Sequence, residues 1–243
     1  MTRAGMLRST PQGMVKEGYT FGLPLLALGG VFYLLHSNAA AIVLVLLALF
    51  VFSFFRDPER VIPAEAGAVV SPGDGRVVVV TDEEYEGRPG KRVSIFLAVW
   101  NVHVNRSPEA GTIAKMEYRP GKFLAAMMER ASVENEQNVF TLSTEAGEIV
   151  FKQIAGLIAR RVVSWKKAGE RVARGERIGL VRFGSRVDLW VPKDAEIAVK
   201  VGENVKGGSS VLARWPANPK ASELGETSKA ETDANLTTTG KRS

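Results

Sequence analysis

The 243-residue sequence predicts a mainly β protein of the α+β class, with few helices in its body and an apolar helical hairpin before it. Three observations support this. Short runs of apolar and β-branched residues alternate with Gly, Pro and Asp between Val69 and Arg214. Residues 18–55 contain no Asp, Glu, Lys or Arg. A glycine-bounded segment occurs twice near the end of the body, as in tight hairpin turns.

The composition restricts the chemistry and the partners. Without cysteine there can be no disulfide, thiol nucleophile or cysteine-bound metal. Only His36 and His103 are available as imidazole ligands, and His36 lies in an apolar stretch, so we expect no metal site. A net charge of +6 indicates an anionic partner. The apolar hairpin favours an anionic membrane surface over nucleic acid, although a charge that merely aids solubility is the plain alternative.

The N-terminus divides into a basic segment, residues 1–18, and an apolar membrane hairpin, residues 19–55. Two apolar runs, Tyr19–Leu35 and Ala39–Phe55, flank a polar break. Each run would form a helix of about 25 Å, slightly short of a bilayer core, so tilted spanning helices and a re-entrant hairpin both remain open. Basic residues flank only the outer ends, which predicts attachment to the cytoplasmic face of the cell membrane. A cleaved signal peptide and a buried core hairpin are the alternatives.

The remaining chain divides into a β body, residues 56–215, and a tail, residues 216–243. One segment of the body, Lys122–Arg130, has apolar residues at helical spacing and is predicted to be a helix. The tail is rich in Pro, Ser, Thr, Glu and Lys, with few large apolar residues, and is predicted to be disordered.

An internal repeat closes the body. Gly169–Gly175 follows the pattern Gly-x-x-Val-x-x-Gly, and the same pattern returns at Gly202–Gly208. Such segments suit the tight turns of interlocked hairpins. They predict a lipoyl-like, barrel-sandwich β body.

A glycine–serine pair, Gly184-Ser185, interrupts a strand that resumes at Val187. The glycine permits a strained backbone and leaves its own carbonyl unshielded. The serine can attack that carbonyl to form an ester. β-Elimination of the ester leaves a dehydroalanine, which hydrolyses to an N-terminal pyruvoyl group. Taken alone, a Gly-Ser pair is most often a turn.

A second pair, Gly208-Ser209, competes for this role. Gly208 occupies the same place in its repeat as Gly175, after which no serine follows. Gly208 is therefore explained as a hairpin glycine, whereas Gly184 lies outside the repeat. Ser185 is the favoured nucleophile.

The context of Ser185 resembles the processing region of phosphatidylserine decarboxylases. Phe183 and Arg186 replace the leucine and threonine usual in that family, as in its short bacterial and archaeal branch. Three further segments resemble family motifs: Phe55-Arg56-Asp57-Pro58, Ser71-Pro72-Gly73-Asp74-Gly75, and Asn101-Val102-His103-Val104-Asn105-Arg106-Ser107-Pro108. The resemblance as a whole covers nearly all of the chain from Arg56 to Val191.

The resemblance implies a carboxy-lyase of phospholipid biosynthesis that converts phosphatidylserine to phosphatidylethanolamine. It implies self-cleavage between Gly184 and Ser185, with the two products remaining together as a heterodimer. Its cofactor would be pyruvate, covalently derived from Ser185, which acts as an electron sink. Asp74 would belong to the self-processing machinery, and His103 would be a catalytic proton donor with a pKa near neutral.

One substitution leaves the base for self-cleavage open. Arg106 stands where longer family members have a second histidine, and an arginine does not deprotonate in proteins. Either His103 takes over as base, or strain and Asp74 suffice. Read without the resemblance, Asp74 would be a turn residue and His103 a structural histidine.

Two other functions fit parts of the sequence. A membrane-anchored, lipoyl-like adaptor without catalysis explains the hairpin and the repeat, but not the three motifs together. A pyruvoyl decarboxylase of a soluble amino acid explains the cleavage, but gives the membrane segment no purpose.

Overall fold

The computed structural model of the chain describes residues 7–8, 13–157, 161–181 and 185–216. Gly184 of the predicted cleavage site and residues 217–243 of the predicted tail lie outside the described residues.

Two long helices, α1 (Lys16–Leu34) and α2 (Asn38–Phe54), form the hairpin expected from the two apolar runs. They approach closely at a glycine of α1, where a Cβ on Gly22 would lie 2.1 Å from the Phe52 ring. Many large apolar side chains of the hairpin are exposed. Among the helices of the described residues, none combines the length and the apolarity needed to cross a membrane.

The helix predicted at Lys122–Arg130 is wrong. The structure has an irregular segment there, followed by one short helix, α3 (Ala131–Glu134). Backbone groups of the segment bond elsewhere: Lys122 N–H donates to Glu134 O at 2.7 Å, and the Asn135 side chain bonds both the N–H and the C=O of Leu124 at 2.9 Å. These longer-range bonds replace the helical ones that the local spacing favours.

Strands make up most of the body, which confirms the mainly β class with few helices. In chain order they are β1 (Leu7–Arg8), β2 (Gly13–Met14), β3 (Arg56–Asp57), β4 (Val61–Ile62), β5 (Ala68–Val70), β6 (Gly75–Tyr85), β7 (Arg88–Leu97), β8 (Val104–Arg106), β9 (Gly111–Arg119), β10 (Gln137–Ser143), β11 (Glu148–Ile154), β12 (Val162–Ser164), β13 (Arg171–Val172), β14 (Arg177–Val181), β15 (Ser185–Pro192), β16 (Glu196–Ile197), β17 (Asn204–Val205) and β18 (Val211–Arg214).

One eight-stranded antiparallel sheet dominates the body, in the order β13-β9-β10-β11-β15-β7-β6-β17. Alternate residues of each strand point to one face, where they form the main core. β15 contributes Val187, Leu189 and Val191 to this core. Because β15 lies between β11 and β7, the strand that begins at Ser185 is a central one.

The internal repeat supplies both edges of this sheet, since β13 lies in its first copy and β17 in its second. The four bounding glycines have φ angles of 88° and 74° at Gly169 and Gly175, and of 98° and 77° at Gly202 and Gly208. Glycine adopts these angles without steric cost. A Cβ on Gly208 would lie 3.5 Å from Gly175 Cα, so the sheet curls into a half-barrel whose edge segments approach each other.

Two three-stranded sheets have the orders β12-β14-β8 and β16-β18-β5, and the remaining described strands form two antiparallel pairs, β1-β4 and β2-β3. The base of the helical hairpin packs on the first of the three-stranded sheets. Phe54 and Phe55 of the hairpin share a buried cluster with Val102, Val104 and Leu180. The hairpin is thereby fastened to the part of the body that carries His103.

Candidate active site

Ser185 is the first residue of β15 and is fully buried. It pairs with Leu97 of β7, and the two-residue period of a strand places its side chain on the same face as Val187, toward the main core. Its Oγ makes no hydrogen bond to any residue that the structure describes. A buried polar atom left without a partner costs about 1–3 kcal/mol. A catalytic role is one of the explanations for a buried polar group that bears such a cost.

His103 lies beside the strand that leads toward Ser185. Val181, the last residue of β14, donates its N–H to His103 O at 3.3 Å. The four-residue step from Val181 to Ser185 spans at most about 14 Å. The His103 backbone therefore lies beside Val181, which is within about 14 Å of Ser185.

The surroundings of the imidazole fix its protonation. Its Nδ1 lies 2.9 Å from Asn101 O, and because a carbonyl oxygen only accepts, Nδ1 must carry the proton. The ring of Phe54 covers the imidazole with 4.1 Å between centroids. Burial, helped by the charge of Arg56, lowers the pKa of His103 to about 4, although the bond to Asn101 opposes the shift. His103 is therefore neutral at pH 7, which differs from the expected imidazole titrating near neutrality.

The other imidazole nitrogen, Nε2, carries the lone pair and makes no hydrogen bond within the described part of the chain. A neutral imidazole with a free Nε2 is the protonation state of a general base. Of the two roles that the sequence suggested for His103, base for self-cleavage and proton donor, this protonation state fits the base.

Asp74 is held by an arginine. Arg60 Nη2 donates to both of its carboxylate oxygens, at 2.9 and 2.8 Å, and Gly207 N–H donates to Oδ1 at 2.8 Å. Among the described residues, the structure shows no hydrogen bond from Asp74 to His103 or Ser185. A direct Asp74–His103–Ser185 relay is therefore absent from this arrangement.

The segment containing Asp74 nevertheless packs against the strand of Ser185. A Cβ on the preceding Gly73 would lie 3.3 Å from a methyl group of Val187 and 3.6 Å from one of Leu97. Val187 is two residues after Ser185, and Leu97 is its cross-strand partner. The Ser-Pro-x-Asp-Gly segment, which leads into β6, thus forms one wall of the candidate site.

Arg106 is almost fully buried in an ion-pair cluster. Its Nη2 donates to Asp57 Oδ1 at 2.6 Å and its Nη1 to Gly175 O at 3.1 Å, while Arg177 bonds the other oxygen of Asp57. Burial lowers the pKa of Arg106 to about 10, which leaves it charged at pH 7. Where longer family members have a second histidine, this chain has Arg106, which bonds both Asp57, just after the hairpin, and Gly175 of the repeat.

Asn105 is a further candidate that the sequence-based reasoning did not single out. It is fully buried, and its Oδ1 accepts from Gln153 Nε2 at 2.9 Å. Its Nδ2 has no partner among the described residues and would lie 3.2 Å from a Cβ on Gly73. The available signal in the sequence was its position between His103 and Arg106, inside a segment already singled out as resembling a family motif.

Arg186 anchors the start of β15 on the opposite face of the sheet. Its guanidinium donates to Asp188 Oδ1 at 2.6 Å and to Ser94 Oγ at 2.7 Å. Ser132 of α3 donates to Asp188 Oδ2 at 2.5 Å. The residue after Ser185 is thereby held independently of the connection that precedes it.

The competing pair, Gly208-Ser209, lies in a turn. Gly208 has a φ of 77° and donates its N–H to Ser71 O at 2.8 Å. Ser209 and Ser210 both donate their N–H groups to Lys206 O at 3.0 Å. These bonds account for the pair as a turn of the repeat.

Comparison with known proteins agrees with this geometry. A family model described as phosphatidylserine decarboxylase matches residues 47–213. A protein of Solibacter usitatus named phosphatidylserine decarboxylase proenzyme is 49% identical over 201 residues, which are 83% of this chain and 96% of the relative.

Relatives of the same name occur in two further genera. The protein of Symbiobacterium thermophilum is 47% identical over 207 residues, covering 84% of this chain and 96% of its own. That of Burkholderia pseudomallei is 44% identical over 205 residues, covering 82% and 95%. With a matching family model and relatives this similar over most of both chains, the chain belongs to the phosphatidylserine decarboxylase family.

Proposed function

We propose that this chain cleaves itself between Gly184 and Ser185 and then decarboxylates phosphatidylserine to phosphatidylethanolamine. The observation that carries the proposal is that Ser185 Oγ and His103 Nε2 are both buried and have no hydrogen-bond partner in the described part of the chain. The relatives support the proposal, because they are named as proenzymes of phosphatidylserine decarboxylase.

The first reaction is an attack of Ser185 Oγ on the carbonyl carbon of residue 184. The C–N bond of the peptide breaks as the C–O bond of the ester forms, and the released amine of residue 185 takes up a proton in exchange for the one that the hydroxyl loses. His103 Nε2 is the available acceptor for the hydroxyl proton, because Nδ1 already donates to Asn101 O. Asn105 Nδ2 is a buried donor available for the charge that develops on the attacked oxygen.

The residues present fit a pyruvoyl group at position 185. When formed, that group supplies an electron sink for the bond that loses carbon dioxide. The chain's own contribution is to hold and shield it. Arg186, pinned by Asp188 and Ser94, keeps the start of β15 in the sheet, and Phe54 keeps water from His103. A dry site strengthens the electrostatic interactions within it.

The helical hairpin would associate with an anionic membrane at the cytoplasmic face of the cell membrane. Its exposed apolar side chains support this, because single exposed leucines are ordinary but a whole exposed apolar surface is not. Those more than two-fifths exposed include Tyr19, Phe21, Leu23, Leu28, Val31, Tyr33, Leu34, Leu35, Ile42, Val43, Leu46 and Leu49. The substrate would then be met in the bilayer where it resides.

Intact-mass spectrometry under denaturing conditions tests the proposal, combined with decarboxylation of phosphatidylserine in vesicles. We expect two chains, the smaller beginning at position 185 and lighter by one ammonia than a serine-started chain. Ser185→Ala should leave one chain of 26.3 kDa and no activity. Ser209→Ala is the matched control and should cleave normally. A cut at position 209, or full activity of uncut protein, would refute the assignment.

A further inference from the structure

A cavity of about 570 Å³ opens at the end of β7, whose last residue pairs with Ser185 at the start of β15. Arg76, Phe96 and Ala98 line its wall, and Trp100, Met127 and Val201 line its mouth. Phe96 pairs with both Arg76 and Arg186 across the sheet. Ala98 follows Leu97, the cross-strand partner of Ser185. The cavity therefore reaches the level of the predicted cleavage site.

Arg76 is the charged residue in the lining, and it is available to a ligand. Its side chain is exposed, and its Nε donates to Gly202 O at 3.2 Å. Within the described residues, no carboxylate forms an ion pair with it. A guanidinium over an apolar wall, with its remaining N–H groups free, suits a phosphate oxyanion.

The mouth of the cavity contains exposed apolar side chains and lies near the helical hairpin. Trp100, Met127 and Val201 are 72%, 66% and 60% exposed, unusually high values for large apolar side chains. Arg56, which follows α2, donates to Trp100 O at 2.7 Å, so the mouth adjoins the base of the hairpin. Exposed tryptophan beside an apolar hairpin is typical of the membrane–water interface.

The spacing from Arg76 to the reacting position suits a phosphoserine group. Arg76, Phe96 and Arg186 form one row across three strands, so two strand spacings, about 10 Å, separate the outer Cα atoms. In phosphatidylserine, the amine that must reach position 185 lies four bonds from phosphorus. The phosphoserine headgroup and the Arg76 side chain are together long enough to span the distance from β6 to the start of β15.

We propose that this cavity binds the glycerophosphate part of the substrate lipid, with Arg76 paired to the phosphodiester and the apolar mouth toward the acyl chains. The inference rests on the proposed function and adds to it the residue that recognises the phosphate. Arg76 acts as a binding residue and takes no part in self-cleavage.

The test compares Arg76→Gln with the wild type and with Arg171→Gln, which removes the same charge from the edge strand β13. Decarboxylation is measured with phosphatidylserine in vesicles and with soluble glycerophosphoserine, which has the phosphodiester but no acyl chains. We expect the KM of Arg76→Gln to rise at least about tenfold for both probes, with a much smaller change in kcat. Arg171→Gln should resemble the wild type, and mass spectrometry verifies that each variant has processed itself.

The outcomes separate the two proposals. A wild type that processes itself but leaves phosphatidylserine unchanged defeats the proposed function. An active wild type with an unchanged KM in Arg76→Gln defeats the assignment of Arg76. A loss seen with vesicles but not with glycerophosphoserine also defeats it, because Arg76 would then serve only general attraction to the anionic surface.

Discussion

His103 and Arg106 lie three residues apart, and burial lowers the pKa of both, yet the two side chains have opposite protonation states at pH 7. The imidazole is held neutral in contact with Phe54, whereas the guanidinium is held charged by Asp57. A neutral imidazole can accept a proton, and a charged guanidinium cannot. The surroundings of each side chain therefore decide whether it is able to accept a proton.

Burial of neutral His103 makes folding sensitive to acid. Its pKa is about 4 in the folded protein and about 6.5 when unfolded, so the unfolded state binds more protons between these values. Stability from this group is complete above pH 6.5 and falls by about 1.4 kcal/mol per pH unit as the pH drops toward 4. We expect Ser185→Ala protein, which stays uncut, to lose more thermal stability from pH 6.5 to 5 than Ser185→Ala/His103→Gln. Equal losses would show that His103 is not buried in its neutral form.

Restoring a histidine at position 106 should not restore a relay. Arg106 is almost fully buried against Asp57, and Asp74 is already occupied by Arg60. We expect Arg106→His to cost about 3 kcal/mol in urea unfolding, because Asp57 loses one of its two cations. Self-cleavage, followed by mass spectrometry, should not accelerate. Arg106→Lys keeps the charge and should cost less; a stable, faster-cleaving Arg106→His would mean that position 106 can carry the base.

Motifs in the sequence pointed to Ser185, His103 and Asp74, but not to their partners. The pairing of Asp74 with Arg60 joins residues 14 apart, and that of Arg106 with Asp57 joins residues 49 apart. The protonation of His103 depends on Phe54, which lies in a different element. Such contacts are products of the tertiary fold, and no local pattern encodes them.

The helical hairpin depends on how closely α1 and α2 can approach. Gly22 lies against the Phe52 ring, whereas a Cβ on Gly30, in the same helix, would have nothing within 4 Å. The two glycines therefore form a matched pair, one at the helix contact and one away from it.

Alanine at these two positions should have effects of opposite sign. Gly22→Ala forces the Phe52 ring out of the contact and should lower the unfolding temperature. Gly30→Ala gains helix propensity, worth about 0.5–1 kcal/mol, and should raise it slightly. Thermal unfolding of uncut Ser185→Ala protein in detergent measures both. A loss of the same size at both positions would show that helix packing is not what Gly22 serves.

Elements whose pattern is local were predicted well. The charge-free runs gave the two helices of the hairpin, and the Gly-x-x-Val-x-x-Gly repeat gave two equivalent turns with positive φ at all four glycines. The helix at Lys122–Arg130 failed because Asn135, from beyond the segment, binds its backbone. That the two copies of the repeat form opposite edges of one sheet was also beyond the sequence, because strand order is decided by pairings distant in the chain.

The whole molecule is interlocked across the predicted cut. Residues after 184 supply β15 in the middle of the main sheet, β17 at its edge and β18 beside β5. The smaller product would therefore remain hydrogen-bonded to the larger along both edges of β15, to β11 and to β7.

Native mass spectrometry should accordingly find the processed protein as a complex that contains one copy of each chain. The two chains should separate only in denaturant, because pulling out β15 means opening the main core. Dilution is the control, since a weak complex would dissociate on dilution and an interlocked one would not. Free small chain under native conditions would contradict this topology.

The contact between Phe54 and His103 bears on how such an enzyme can be simplified for the laboratory. Removing the apolar N-terminus is the obvious route to a detergent-free preparation. In this protein the truncation would also remove Phe54, which covers the His103 imidazole. Water would then reach the ring, and the pKa of His103 would move back toward 6.5. A shortened protein could keep its sheet and still process itself slowly. For this chain, solubility is better sought by polar substitutions on the outer surface of the hairpin than by trimming.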